Sequence, residues 1–486
     1  MKKYRRRLLS LLLALGLTAS LSAPTALAAG PDGTEPPAAT PGAGPVVEEK
    51  EPVESRLVNE MHVEAAAAIL VAADTGAVLY DQDSHVQRYP ASITKVMTSL
   101  LTLEAVERGE LTLDTVLTAG GSLHTGIGEN ASTADIKEGE QLRVIDLLNA
   151  ALLPSANEAC NILAEAVAGS VDAFVEQMNQ RAAELGMEDT HFANTHGYHD
   201  PDHYTTAYDI ALMCQEAMKY ETFRTIVSSL NYTMPATNMH EERIIRSTNA
   251  LVSTFRITGY YYQYAAGIKT GHTPEAGYCL ASSATKEDRS LIAVVLGCER
   301  VPGTTGSEGF TYFSESTRLL EWGFNSFATK KLLDATYFAG TIPVDLSRET
   351  DRIGVQAVGE LEAILPNDLD PADFQLTPVY DTERLEAPVT KGQVVGHVTV
   401  SNGDTVYGQL DLAVVDSVER SELLYRLAQI EAFFGQLWVK VVLIALGVLA
   451  VVLLLRWLLF GRRRRYGGAR RPHRSSRYSG RRRRRY

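Results

Sequence analysis

Cysteine is scarce: four residues in 486, at positions 160, 214, 279 and 298, with no Cys-x-x-Cys pair. This spacing excludes a zinc ribbon or a thioredoxin-like redox motif. Cys279 and Cys298 flank a predicted hairpin and could face each other, but buried reduced thiols are the expectation for all four. Large apolar residues are nearly absent from 31–55, which holds six of the nineteen prolines and reads as a linker or disordered stalk. Acid is absent from Arg462 to Arg485, a stretch with thirteen arginines. No internal repeat is visible.

A hydrophobic share of 45% and a charged share of 22% exclude a disordered or collagen-like chain, and the length favours two or three folded units. The net charge of −13 conceals a segregation, because the eighteen cations of the two termini leave −31 on the chain between them. So acidic a body argues against nucleic-acid binding.

Residues 1–28 combine Lys2, Lys3 and Arg5–Arg7 with an apolar stretch from Leu8 and an Ala26-Leu27-Ala28 end. This is the pattern of an export signal, with cleavage expected after Ala28 and an uncleaved signal anchor as the alternative. Residues 438–460 form a second apolar run, bracketed by Lys440 and Arg456 and long enough to span a bilayer. The arginine tail, 461–486, follows at once, which predicts a single-pass protein with a cytoplasmic tail and an extracytoplasmic body.

Between these ends, 29–58 is expected to be linker, 59–328 a first domain, 329–419 a small all-β domain and 420–437 an amphipathic connector helix. The first domain opens on a hairpin around Asp74-Thr75-Gly76. Helical patterns follow at 93–108, 144–168 and 171–185, then β-rich runs at 277–283 and 290–297, and a helix at 315–324. Strands at both ends with helices between predict an α/β domain whose first and last strands share one sheet. In the second domain, Ser401-Asn402-Gly403-Asp404 marks a hairpin.

Ser92-Ile93-Thr94-Lys95 places a hydroxyl at the opening turn of a helix and an amine on the same face. Such a lysine can activate the serine only when neutral, a state favoured by burial or by a second cation nearby. Ser155-Ala156-Asn157 lies between two helical segments, and Lys269-Thr270-Gly271 begins a strand-like segment.

SxxK, SxN and KTG in this order resemble the penicillin-recognising serine acyltransferases. The longer stretches around them, including ILVAADTGAVLYDQDSHVQRYPASITKVMTSL and AAGIKTGHTPEAGYCLASSA, are similar to the low-molecular-weight penicillin-binding proteins, the D-alanyl-D-alanine carboxypeptidases. The resemblance implies a transpeptidase-like domain, an antiparallel sheet with a helical subdomain, followed by a β domain. It makes Ser92 the nucleophile, Lys95 its base, Ser155 a proton relay and Asn157 a positioning group. Lys269, Thr270 and Gly271 would receive the substrate, and the backbone of His272 with that of Ser92 would form the oxyanion hole. The implied partners are peptidoglycan stem peptides, with β-lactams as inhibitors. The anchoring departs from the amphipathic surface helix of many relatives: the membrane helix and arginine tail are expected to contact lipid, with a cytoplasmic partner or a purely topological role for the tail as alternatives. No cofactor or metal is called for. Variants on this reading are an endopeptidase or transpeptidase, or an inactive wall-binding scaffold.

His191, His196, His199 and His203 with Asp200 and Asp202 could by composition hold a metal, but a solvated, Pro- and Asn-punctuated loop is expected instead. A class A β-lactamase would carry a glutamate four residues before an asparagine in this segment. Thr190 stands four before Asn194, so fast hydrolysis of a penicillin adduct is not expected.

Overall fold

The computed structural model describes residues 50–129, 131–304 and 308–460. The expected signal sequence, most of the expected linker and the arginine tail lie outside the described residues. Helices are α1 Arg56–Glu60, α2 Lys95–Glu107, α3 Val144–Leu152, α4 Asn157–Ala168, α5 Val171–Glu184, α6 Ala207–Ala217, α7 Glu221–Val227, α8 Thr311–Ser326, α9 Glu422–Gly435 and α10 Leu437–Phe460.

Five strands build the sheet of the first domain: β1 Ala67–Ala72, β2 Val78–Gln82, β3 Ala265–Thr273, β4 Gly277–Lys286 and β5 Arg289–Cys298. Their order is β2-β1-β5-β4-β3, all neighbours antiparallel. The first strand does share a sheet with the last, with Leu70 opposite Ala293. Every residue of β1 is buried because both faces are covered. Ala67, Ile69 and Val71 pack into the core formed with α2 to α6, whereas Ala68 and Leu70 join Phe313, Leu319 and Leu320 of α8 on the other side.

Local signals set the helix boundaries. Ser170 and Thr206 cap α5 and α6 by accepting from the N–H groups of Ala173 and Asp209. Gly169 ends α4 at φ 80°, the left-handed conformation that glycine takes without penalty. The helical pattern read through 144–168 is interrupted between α3 and α4, where Ser155 sits at φ 70°. That break lifts Ser155 out of the helix and opens α4 with Asn157.

The second domain holds β6 Phe327–Asp334, β7 Phe338–Asp345, β8 Arg352–Val358, β9 Glu360–Pro366, β10 Gln375–Tyr380, β11 Leu385–Glu386, β12 Val394–Asn402 and β13 Thr405–Val414. A six-stranded sheet runs β10-β12-β13-β8-β7-β11, and β6 pairs with β9. The expected Asn402-Gly403 hairpin joins β12 to β13. This domain has its own core around Val355, Phe374, Val398 and Leu412.

Residues 50–60 are not a free linker. Val53 packs on the β-domain core and exchanges hydrogen bonds with the side chain of Asn402, while Ser55 caps α1 and donates to Asp368 at 2.8 Å. The chain thus crosses the β domain before it enters the first sheet. At the other end α9 carries exposed Leu423, Leu427, Ile430 and Phe434, and α10 is exposed along almost its whole length. Among the described residues, Leu437–Leu459 is the one helix long and apolar enough to cross a membrane.

Candidate active site

Ser92 lies in a single 3-10 turn, Ala91–Thr94, directly before α2. Ala91 holds φ 47°, a left-handed conformation that a non-glycine residue adopts at a cost of ~1 kcal/mol or more. The edge strand β3 runs against this turn: a Cβ on Gly271 would stand 2.9 Å from the Pro90 carbonyl oxygen and 3.3 Å from the Ser92 nitrogen. Gly271 therefore allows strand and nucleophile to meet across the floor of one cleft.

That cleft has a volume of about 720 Å³, and Ser92, Ser155, Asn157, Thr270, Gly271 and His272 all line it. Lys95 and Lys269 lie beneath its surface, 0% and 1% exposed. Lys95 Nζ is 2.9 Å from Ser92 Oγ and donates to the His196 carbonyl oxygen at 2.6 Å. Burial pulls the Lys95 amine down to about 8, against the opposing influence of Cys160 and Glu158. Lys269 donates to the Thr270 carbonyl at 3.0 Å; burial first, and the nearby Lys95 charge second, hold it well below the ordinary lysine range. Thr270 Oγ1 pairs with Thr248 Oγ1 at 2.7 Å on the same wall. The arrangement supplies a hydroxyl beside an amine that gives up its proton near neutrality, which is the equipment of nucleophilic acyl transfer.

Asn157 makes no hydrogen bond to Lys95 here. Its backbone N–H donates to the Ser132 carbonyl at 2.9 Å, and its Oδ1 is buried without a partner in a residue that lines the cleft. The His272 ring lies against Tyr278, centroids 4.3 Å apart, so its side chain extends the aromatic wall, while its backbone continues β3 from Gly271, the residue that meets the nucleophile turn.

A family model described as D-alanyl-D-alanine carboxypeptidase, peptidase S11, matches residues 54–300. The chain belongs to the D-alanyl-D-alanine carboxypeptidase family. A model of the penicillin-binding protein 5 C-terminal domain matches residues 327–420 of the carboxypeptidase, the β domain. The chain is 31% identical over 390 residues to D-alanyl-D-alanine carboxypeptidase DacC of Escherichia coli, covering 77% of this chain and 87% of that one. It is 29% identical over 372 residues to DacF of Bacillus subtilis, covering 76% and 89%. The solved structure of penicillin-binding protein 5 from Haemophilus influenzae matches with a TM-score of 0.57 and 27% identity, over 74% of this chain and 99% of that one. The enzyme is a serine-type D-alanyl-D-alanine carboxypeptidase, and a hydrolase of cell-wall peptide by family.

The segment 190–206 of the carboxypeptidase departs from the solvated loop expected of it. His196 and His203 are buried, 1% and 2% exposed, because each imidazole is engaged at both nitrogens. His196 Nδ1 accepts from the Tyr198 N–H and its Nε2 faces the Thr125 carbonyl, while His203 bridges Ala193 and Thr94. Burial pushes both imidazoles down to about 3, so both are neutral. Sequence reasoning missed the His196 carbonyl that receives Lys95, and Gly197, Thr248 and His203 with it; the close spacing of histidines was the signal for those in 190–206, and Thr248 had none. All four cysteines are free and buried. Cys279 faces the α2 side of the sheet and Cys298 the α8 side, which separates them.

Proposed function

We propose that Ser92 is the nucleophile of the carboxypeptidase and Lys95 its general base, acting on the terminal D-alanyl-D-alanine bond of peptidoglycan stem peptides. The observation that carries this reading is the 2.9 Å separation of Ser92 Oγ from the fully buried Lys95 Nζ. Ser92 Oγ attacks the carbonyl carbon while neutral Lys95 takes the hydroxyl proton. Ser155 passes a proton to the leaving nitrogen, the C–N bond breaks, D-alanine departs, and the peptide remains as an ester on Ser92. Water then attacks the ester and releases the shortened peptide.

Asn157, with its unpartnered buried Oδ1, takes a donor that arrives with substrate, either the substrate amide or the Lys95 amine once it turns from His196. The backbone N–H groups of Ser92 and His272 receive the developing oxyanion, an interaction worth ~3 kcal/mol in the transition state. Thr270 donates to the terminal carboxylate. Any positive charge on Lys269 attracts that carboxylate and discourages a proton on Lys95. β-Lactams enter the same cleft and acylate the same hydroxyl.

The exposed apolar helix at Leu437–Leu459 supports a membrane tether, with the β domain as spacer and α9 leading into the bilayer. The arginines beyond it support a cytoplasmic tail, in which contact with anionic lipid would add ~1 kcal/mol per near-surface cation. An export signal cleaved after Ala28 delivers the acidic body to the other side.

The test is D-alanine release from a pentapeptide by full-length enzyme in detergent, compared with Ser92→Ala. Release falls to background in the variant; equal release from both overturns the nucleophile assignment.

A further inference from the structure

Beneath the nucleophile turn lies a buried imidazole that the mechanism does not use. His203 Nδ1 accepts the Ala193 N–H at 3.0 Å, and an amide nitrogen can only donate, so the ring proton is on Nε2. Nε2 is 2.7 Å from Thr94 Oγ1, and the Thr94 hydroxyl donates in turn to the Ala91 carbonyl at 2.8 Å. The three bonds run in one direction, from Ala193 through His203 and Thr94 to Ala91. Each of the three has a fixed donor and a fixed acceptor. Their terminus is Ala91, the residue in left-handed backbone immediately before Ser92.

We infer that His203 is a positioning residue for catalysis, holding the Ala91–Thr94 turn in its strained form through the Thr94 hydroxyl and so aiming Ser92 Oγ at Lys95 and the cleft. The segment that bears His203 also provides the acceptors for the first turns of α2, the His196 carbonyl for Lys95 and the Thr195 carbonyl for Thr98 Oγ1 at 2.5 Å. In those two contacts the segment contributes backbone carbonyls, which a substitution at His203 does not remove. The His203–Thr94 bond is the side-chain link from the segment into the nucleophile turn. It is buried and neutral, so water does not compete for it.

The inference rests on Ser92 being the nucleophile, and the test separates the two. Thr94→Val keeps the shape of the side chain and removes its hydroxyl, whereas Thr94→Ser keeps the hydroxyl. The readouts are the rate of acylation of the full-length chain by labelled penicillin, kcat and KM for D-alanine release, and the thermal midpoint. In Thr94→Val, acylation and kcat fall about 10- to 100-fold with KM within about twofold, because misaiming a nucleophile by an ångström costs this much without touching substrate contacts. Thr94→Ser restores acylation to within about threefold of wild type. His203→Phe, which removes the link from its other end, shows a loss of the same size, and combining it with Thr94→Val adds little. Mass-spectrometric location of the wild-type adduct tests the nucleophile assignment by itself. Wild-type acylation rates in folded Thr94→Val or His203→Phe, or a loss that Thr94→Ser does not restore, overturn the positioning role.

Discussion

A Cβ atom on Gly197 would lie 1.8 Å from the carbonyl oxygen of Ala91, so these two residues meet backbone to backbone beside the nucleophile. Gly197 holds φ +80° there, and the Thr94 hydroxyl oxygen would be 2.7 Å from the same added carbon. Both the space and the conformation require glycine.

Gly197→Ala should therefore displace the Ala91–Thr94 turn. The obstacle is backbone, which has no rotamer in which to escape, so the turn and segment 190–206 must part. Acylation by labelled penicillin is expected to fall at least ~100-fold, with the thermal midpoint lowered by several degrees. An alanine variant that acylates at the wild-type rate would show that the two backbones separate without consequence for Ser92.

The pH dependence of acylation follows from Lys95. Its amine accepts the Ser92 proton only when neutral, and burial places its pKa at about 8. The rate should rise about tenfold per pH unit below this value and level off above it. Glu158, whose Oε1 accepts from Thr133 Oγ1 and the Ala134 N–H, favours the charged lysine. Glu158→Gln keeps an acceptor oxygen and removes the charge, so the limb should move to lower pH. The same depressed pKa makes the unfolded chain bind more protons than the folded one between about 8 and the ordinary lysine value of 10.5. Lys95 thus imposes a cost on folding that is full below about 8 and is relieved as pH rises across that window, so stability increases with pH there. Stopped-flow acylation from pH 5 to 10 checks the limb and the direction of its shift.

How much of this could be read from the residues alone varied with distance along the chain. Ser92 and Lys95, or Ser155 and Asn157, are each set by one local turn, and the strand of Lys269 by its β-rich surroundings, so the motifs and the antiparallel sheet were legible. What brings them together was not. The left-handed φ at Ala91 and Ser155 falls on residues with no special tolerance for it, and at Ala91 the partners are Thr94 and Gly197. His203 looked like a solvated loop residue because its partner, Thr94, lies 109 positions away. The docking of Ser55 on Asp368, 313 positions distant, was equally invisible in a stretch whose composition reads as linker.

Glu140 is 0% exposed and carries its charge into the domain, where Arg243 reaches it at 2.5 Å and Thr237 Oγ1 at 2.9 Å. This pair ties the short hairpin of Asn231–Met234 and Arg243–Arg246 to the loop before α3. Arg243→Met removes the cation and leaves the buried carboxylate with the Lys137 N–H at 3.0 Å, the Thr237 hydroxyl and the His240 imidazole 3.8 Å away. The loss should therefore fall at or below the low end of the ~3–5 kcal/mol typical of a broken buried pair. Replacing Glu140 by Gln in the same background removes the stranded charge and should recover part of the loss. Thermal unfolding of the single and double variants measures both; a single variant within about 0.5 kcal/mol of wild type would mean that Glu140 finds water or another cation.

Thr190 stands four residues before Asn194, the spacing at which a class A β-lactamase carries its glutamate, yet its side chain does not line the cleft. Thr190 Oγ1 donates to Asp209 Oδ2 at 2.7 Å and lies 2.7 Å from Thr205 Oγ1. Asp209 is buried, and burial already raises its carboxyl above the usual range despite the Thr190 hydrogen bond. Introducing a carboxylate by Thr190→Glu removes that donor and sets a second anion beside Asp209. The substitution should therefore destabilise the domain by ~1–3 kcal/mol and leave penicillin turnover as slow as in wild type, because the new group faces Asp209 and not the ester on Ser92. Decay of the labelled adduct, followed by gel or mass spectrometry, decides it. Rapid turnover by Thr190→Glu would require the segment 190–206 to rotate its side chains toward Ser92, and with them the His196 carbonyl that holds Lys95.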